Sequence, residues 1–151
     1  MSVSIKAYND ERAKKRLNDL TDNIVNAINR SLAKDIVLMD ADVKKSIQQG
    51  TRSGRVYKRR SVRHRASAAG EFPKTDTGQL VSGFNFKLPK RKRRLLTAEL
   101  ENKTKHAKYL EFKPSSQGGR PFMRPTANKW RPIIKKNLDN AVKREINKAD
   151  A

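Results

Sequence analysis

The chain has few residues whose type and spacing could do chemistry. His64 and His106 are its two histidines, and neither has another histidine or an acidic pair at the spacing a metal ion requires. Ser61, Ser67 and Ser82 lack the strand–turn–helix elbow that presents a serine nucleophile. Glu111-Phe112-Lys113 offers the Glu-x-Lys pair of many metal-dependent nucleases, but that chemistry needs another carboxylate to hold Mg²⁺. Asp76 is the nearest candidate outside the Glu99/Glu101 segment, and no spacing aligns it. Gly118-Gly119 runs into Arg120-Pro121, which cannot open a phosphate-binding P-loop helix. The absence of cysteine excludes disulfides, thiolate metal sites and cysteine nucleophiles. The expectation is a protein without catalytic residues, metal or cofactor.

Binding chemistry is better represented. The 151 residues carry 36 Lys and Arg against 15 Asp and Glu, a net charge of +21. The excess is uneven. Residues 1–48 are near balance at +2; residues 49–94 hold fourteen basic residues against Glu71 and Asp76, a net of +12; residues 95–151 carry +7. The candidate polyanion contacts are Arg52, Arg55, Lys58, Arg59, Arg60, Arg63 and Arg65, then Lys90, Arg91, Lys92, Arg93 and Arg94. Such a cluster repels itself unless an anion or an acidic neighbour is supplied. Tyr57 is the one aromatic among the cations of 52–65, so no base-stacking platform is visible. No stretch approaches the roughly 18–20 apolar residues of a membrane helix, and no apolar segment follows the N terminus. A chain made in the cytoplasm, with no membrane partner, is expected.

The elements that must position these residues form a single α+β domain over 1–151. Leu17, Leu20, Ile24, Ile28, Leu32, Ile36, Met39, Val43 and Ile47 recur at three- and four-residue steps, which predicts one helix over 10–48. At 1.5 Å per residue such a helix is roughly 58 Å long, more than one small core can cover. Either it breaks near Asn29-Arg30-Ser31, or a neighbouring subunit buries part of its stripe. Residues 49–77 read as a basic loop with at most a short extended piece around Arg55-Val56-Tyr57. Residues 78–82 form a short helix capped by Asp76 or Thr77. Phe84, Phe86 and Leu88, then Leu96, Ala98 and Leu100, alternate with polar residues as half-buried strands do. They predict a hairpin whose tip is the basic run 89–94. A short helix over 106–112, a loop over 114–119 and a closing helix over about 126–148 complete the chain. The last shows Trp130, Ile134, Leu138, Val142 and Ile146 on one face. Pro132 either kinks that helix or starts its regular part.

Three blocks in order then carry a resemblance: Arg63-His64-Arg65-Ala66-Ser67-Ala68-Ala69-Gly70-Glu71-Phe72-Pro73 with Asp76-Thr77-Gly78-Gln79-Leu80; His106-Ala107-Lys108-Tyr109-Leu110-Glu111-Phe112; and Arg120-Pro121-Phe122-Met123-Arg124-Pro125. Over residues 10–146 this order resembles the neck, or tail-completion, proteins of tailed double-stranded DNA phages, the tenth-gene-product family of lambdoid phages. Ala69 stands where that family usually has Pro, His106 where it has Tyr, Lys113 where it has Gly, and Thr126 where it has Ala. The resemblance implies a virion protein at the head–tail junction, in a homo-oligomeric ring of six copies. The implied neighbours are a head-completion or connector protein and a tail-terminator or tail-tube protein, with packaged DNA passing through.

The motif residues also have structural readings. Gly70 and Gly78 supply turns; Pro73, Pro121 and Pro125 end regular structure; Phe122 anchors the closing helix to the sheet; Arg120 and Arg124 pair with Glu111 or with an acidic neighbour. The alternative function, from composition alone, is a sequence-nonspecific DNA-binding protein that grips phosphate through residues 52–65. A small nuclease built on Glu111 and Lys113 is the remaining, weaker reading.

Overall fold

The computed structural model of the chain describes residues 11–74, 76–92 and 95–150. The N-terminal helix, α1 (Glu11–Gln49), runs unbroken through Asn29-Arg30-Ser31, as expected of 39 residues with no Pro or Gly. Its burial begins near Ala27 and deepens towards its C-terminal end. Ile36, Met39, Val43 and Ile47 lie on one face and are 9% exposed or less, whereas Leu17 is 64% exposed.

The closing helix, α4 (Met123–Ala149), starts about a turn earlier than the apolar period indicates. Pro125 therefore does not end regular structure. It sits in the first turn of α4, where a missing N–H costs no helical bond. Pro132 lies inside the helix, which continues past it. The two helices are antiparallel. Asn137 Nδ2 donates to Asp35 Oδ1 at 2.7 Å, and both Lys129 Nζ and the Trp130 indole N–H donate to Asp42. Seven residues back along α1 thus match about seven forward along α4. By that register the end of α4 stands opposite about residue 23 of α1.

The core is built where the helices meet the sheet. Val43, Ile47, Leu80, Phe84, Ala107 and Phe122 form one buried cluster; Ile36, Met39 and Trp130 form a second beside it. Phe84 and Phe122 meet edge to face with ring centroids 5.7 Å apart, so Phe122 does anchor α4 to the sheet.

The sheet strands are β3 (Phe84–Lys92) and β4 (Leu95–Asn102), paired antiparallel from Phe84 opposite Asn102 to Lys92 opposite Leu95. The basic run is therefore not all tip: Lys90, Arg91 and Lys92 continue β3, while Arg93 and Arg94 lie outside the described residues. The register shifts between Lys87 and Lys90, which is where Pro89 interrupts the ladder.

Residues 49–77 are not simply a loop. β1 (Val56–Arg59) and β2 (Val62–Arg65) form a second antiparallel hairpin, closed by Arg60-Ser61, with Arg60 in the left-handed region at φ 53°. The short helix α2 (Gln79–Ser82) starts at Gly78, at φ 79°. Of the two expected caps, Asp76 is held instead by Arg59 at 2.6 Å, while the Thr77 hydroxyl accepts from Gln79 N–H at 3.5 Å. The remaining elements are α3 (Ala107–Phe112), as expected, and a 3₁₀ turn, Ser115–Gln117, inside the predicted loop. With two long helices, two small antiparallel sheets and short connecting helices, the architecture is α+β.

Candidate functional site

The β1–β2 hairpin has one cationic face. Val56, Lys58, Arg63 and Arg65 share a side of the pleat, with Lys58 directly opposite Arg63 and Val56 opposite Arg65. Like charges in direct cross-strand pairing repel, so this face favours an anion. The other side carries Tyr57 and His64, stacked with centroids 5.6 Å apart, and Arg59, which is paired to Asp76. Arg55, Arg60 and Arg65 are exposed, as is Arg52 just before the hairpin. Among the described residues no group of three His, Asp or Glu side chains converges in a way that could hold a metal ion.

The three sequence blocks meet below this hairpin, and most of their polar contacts go to backbone. The Arg120 guanidinium does not pair with Glu111. It donates to the Ser67 carbonyl from Nε at 3.1 Å and Nη2 at 2.9 Å, clasping the third block to the first. Gly70 N–H donates to the Gly119 carbonyl beside it, with Gly70 at φ 83°, a conformation glycine takes without strain. Glu111 accepts three N–H bonds, from Phe122, Met123 and Arg124, at 2.8–2.9 Å. These are orphan donors at the start of α4, so a carboxylate from α3 caps another helix and complements its dipole. That role stands in place of the expected Arg120–Glu111 pairing. Glu71 accepts from the Ser53 hydroxyl and from Ala68 N–H, which together hold its carboxyl below the usual range and fold the 67–71 turn. Pro73 and Leu80 are buried, Leu110 and Pro121 partly so, and Thr77, Phe112 and Arg124 are exposed. Sequence reasoning did not reach the Glu111 cap, whose donors lie eleven to thirteen residues further on.

A cavity of about 580 Å³ opens between the hairpin, the first block and α3. Its walls bring together Arg52, Arg63, Arg65, Lys74 and Arg120 with both histidines, on a floor that includes Pro73, Leu80 and Leu110. Asp76 is the single carboxylate lining it. Lys90, Arg91 and Lys92 lie on β3, and neither Lys90 nor Arg91 lines this cavity.

Two apolar surfaces are left uncovered. One is the first part of α1. If α4 ends opposite about residue 23, the α1 turns before it project by roughly 18 Å at 1.5 Å per residue. The other is a groove of about 620 Å³ between α1, β4, α3 and α4, lined by Leu32, Ile36, Ala98, Phe112, Met123 and Ile134, with Phe112 72% exposed. Among the described residues no helix is long and apolar enough to cross a membrane.

Comparison with known proteins bears on the first two blocks, since the third lies outside the matched residues. No curated protein and no solved structure matches the chain. One family model matches residues 11–112, that of "Bacteriophage HK97-gp10, putative tail-component", and the match covers α1, both hairpins, α2 and α3. That span is two thirds of the chain, and the chain belongs to this family of bacteriophage tail-related structural proteins.

Proposed function

We propose that the protein is a subunit of the neck ring at the head–tail junction of a tailed phage, closing on itself through repeated contacts between copies, and that it catalyses no reaction. The observation that carries the reading is the start of α1, where Leu17 is exposed and Leu20 only half-buried, on a molecule that also presents a bare apolar groove. Two different patches on one subunit make a head-to-tail contact, and such contacts generate rings when the rotation closes. The stripe of one copy seats in the groove of the next. The cationic face of β1–β2 then meets the DNA that passes through, and the copy number of six remains what the resemblance implies.

Native mass spectrometry of the purified chain tests the contact. The expected spectrum contains closed oligomers of one size, and these disappear when Leu17 is replaced by Gln. A chain that stays monomeric at every concentration, or oligomers indifferent to Leu17→Gln, contradicts the reading. Incubation with plasmid and Mg²⁺ or Mn²⁺ tests the absence of catalysis. Cleavage abolished by Glu111→Gln overturns it.

A further inference from the structure

We propose that the cavity beneath the β1–β2 hairpin is a binding site for the phosphate groups of a nucleic-acid backbone. Two of its cations are already positioned and have no carboxylate partner among the described residues. Arg120 is partly buried, and its guanidinium is fixed by the carbonyls of Ser67 and Gly118, with no carboxylate in contact. Lys74 is partly buried too, and its ammonium is held by the Gln48 carbonyl. Backbone carbonyls orient these cations without neutralising them. Burial, followed by the nearby Arg52 guanidinium, pushes the Lys74 ammonium below its ordinary range, as expected where positive charge is crowded and uncompensated.

The nearest acids are committed elsewhere. Asp76 is bound by Arg59, and Glu111 caps α4. A charge-assisted bond from a fixed arginine to phosphate is among the stronger hydrogen bonds, and a preoriented donor loses little entropy in making it. Phosphate on a backbone fits better than a lone carboxylate for a reason of continuity: Lys58 and Arg63 extend the cationic surface from the cavity along the hairpin. A polymer with regularly repeated charge can fill the cavity and that face together.

The inference rests on the reading of the hairpin as DNA-facing, and it is tested on the full chain whatever ring it forms. Amide NMR spectra are recorded with inorganic phosphate, with dAMP, with a glutamate-rich peptide and with a short DNA duplex, and duplex affinity is measured by titration. Phosphate and duplex should both shift the amides of His64, Ser67 and Arg120. The variant R52Q/R65Q, which alters exposed side chains only, should bind duplex at least tenfold more weakly, and R120K should retain more affinity than R120Q. Replacing Lys135 and Lys136 on α4 by Gln should change nothing. If R52Q/R65Q binds duplex as tightly as the wild type while K58Q/R60Q does not, the cavity assignment fails and the hairpin reading stands. If neither pair matters, both fail. Tighter binding of dAMP than of duplex, or equal shifts with the peptide, also overturns the backbone-phosphate assignment.

Discussion

At the scale of single residues, most polar contacts of the three sequence blocks hold the chain to itself. Glu111→Ala removes an acceptor shared by three backbone N–H groups and should destabilise the fold by about 2–3 kcal/mol in urea denaturation. A loss under about 0.5 kcal/mol would show that water replaces the cap without cost. Phe122→Ala empties a site with no solvent exposure and should cost about 3–5 kcal/mol. Asp42 adds a dependence on pH. Burial raises its pKa, but the bonds from Lys129 and Trp130 outweigh burial and bring it below 3.8. A group depressed on folding contributes stability above its unfolded value and loses it as pH falls through the folded one. Asp42→Asn should therefore cost about 1 kcal/mol at neutral pH, and the gap between variant and wild type should close below about pH 4. Urea melts at the two pH values decide it; a gap that is constant with pH excludes the carboxylate as its source. Phe122, Gly70 and Gly78 were legible as anchor and turns. The Glu111 cap and the Arg120–Ser67 clasp were not, because side chains that bond to distant backbone leave no periodic or charge-pair signal.

At the scale of elements, period decided what could be read. The 3.6-residue period over α1 and the two-residue period over β3 and β4 located those elements to within a few residues. The β1–β2 hairpin escaped because each strand is only four residues long and both faces mix cations with apolar or aromatic residues, so alternation carries no hydropathy signal. Its turn also uses Arg60 at φ 53° in place of a glycine or asparagine. The start of α4 was missed because the apolar period begins only after the capped first turn. The uncovered start of α1 makes its own prediction. Replacing Leu17 by Gln should leave the unfolding free energy of the monomer within about 0.5 kcal/mol, since this exposed side chain meets little of its own chain. The same change should weaken self-association at least tenfold by analytical ultracentrifugation. If the monomer itself is destabilised by several kcal/mol, the stripe belongs to the subunit's own core.

At the scale of the whole molecule, a net charge of +21 on 151 residues governs association with polyanions. If six phosphates are contacted, log K for duplex DNA should fall against log salt with a slope of about −5.4, a loss of roughly two-thousandfold between 50 and 200 mM. Replacing Arg60, Arg63 and Arg65 by Ala should lower that slope by about 2.7. Arg59 should contribute less, because Asp76 already neutralises it. A slope that does not change assigns DNA binding to another surface. The rival arrangement, in which these cations dock on acidic faces of adjoining ring proteins, is also salt-sensitive, so location separates the two. The most direct test of the neck-subunit reading is electron cryo-microscopy of the head–tail junction in intact particles. The account predicts a closed ring of this chain at that junction, with the start of α1 against the next copy and the β1–β2 hairpin towards the central channel. Finding the chain elsewhere in the particle, or as separated copies with the hairpin on the outer face, would contradict it.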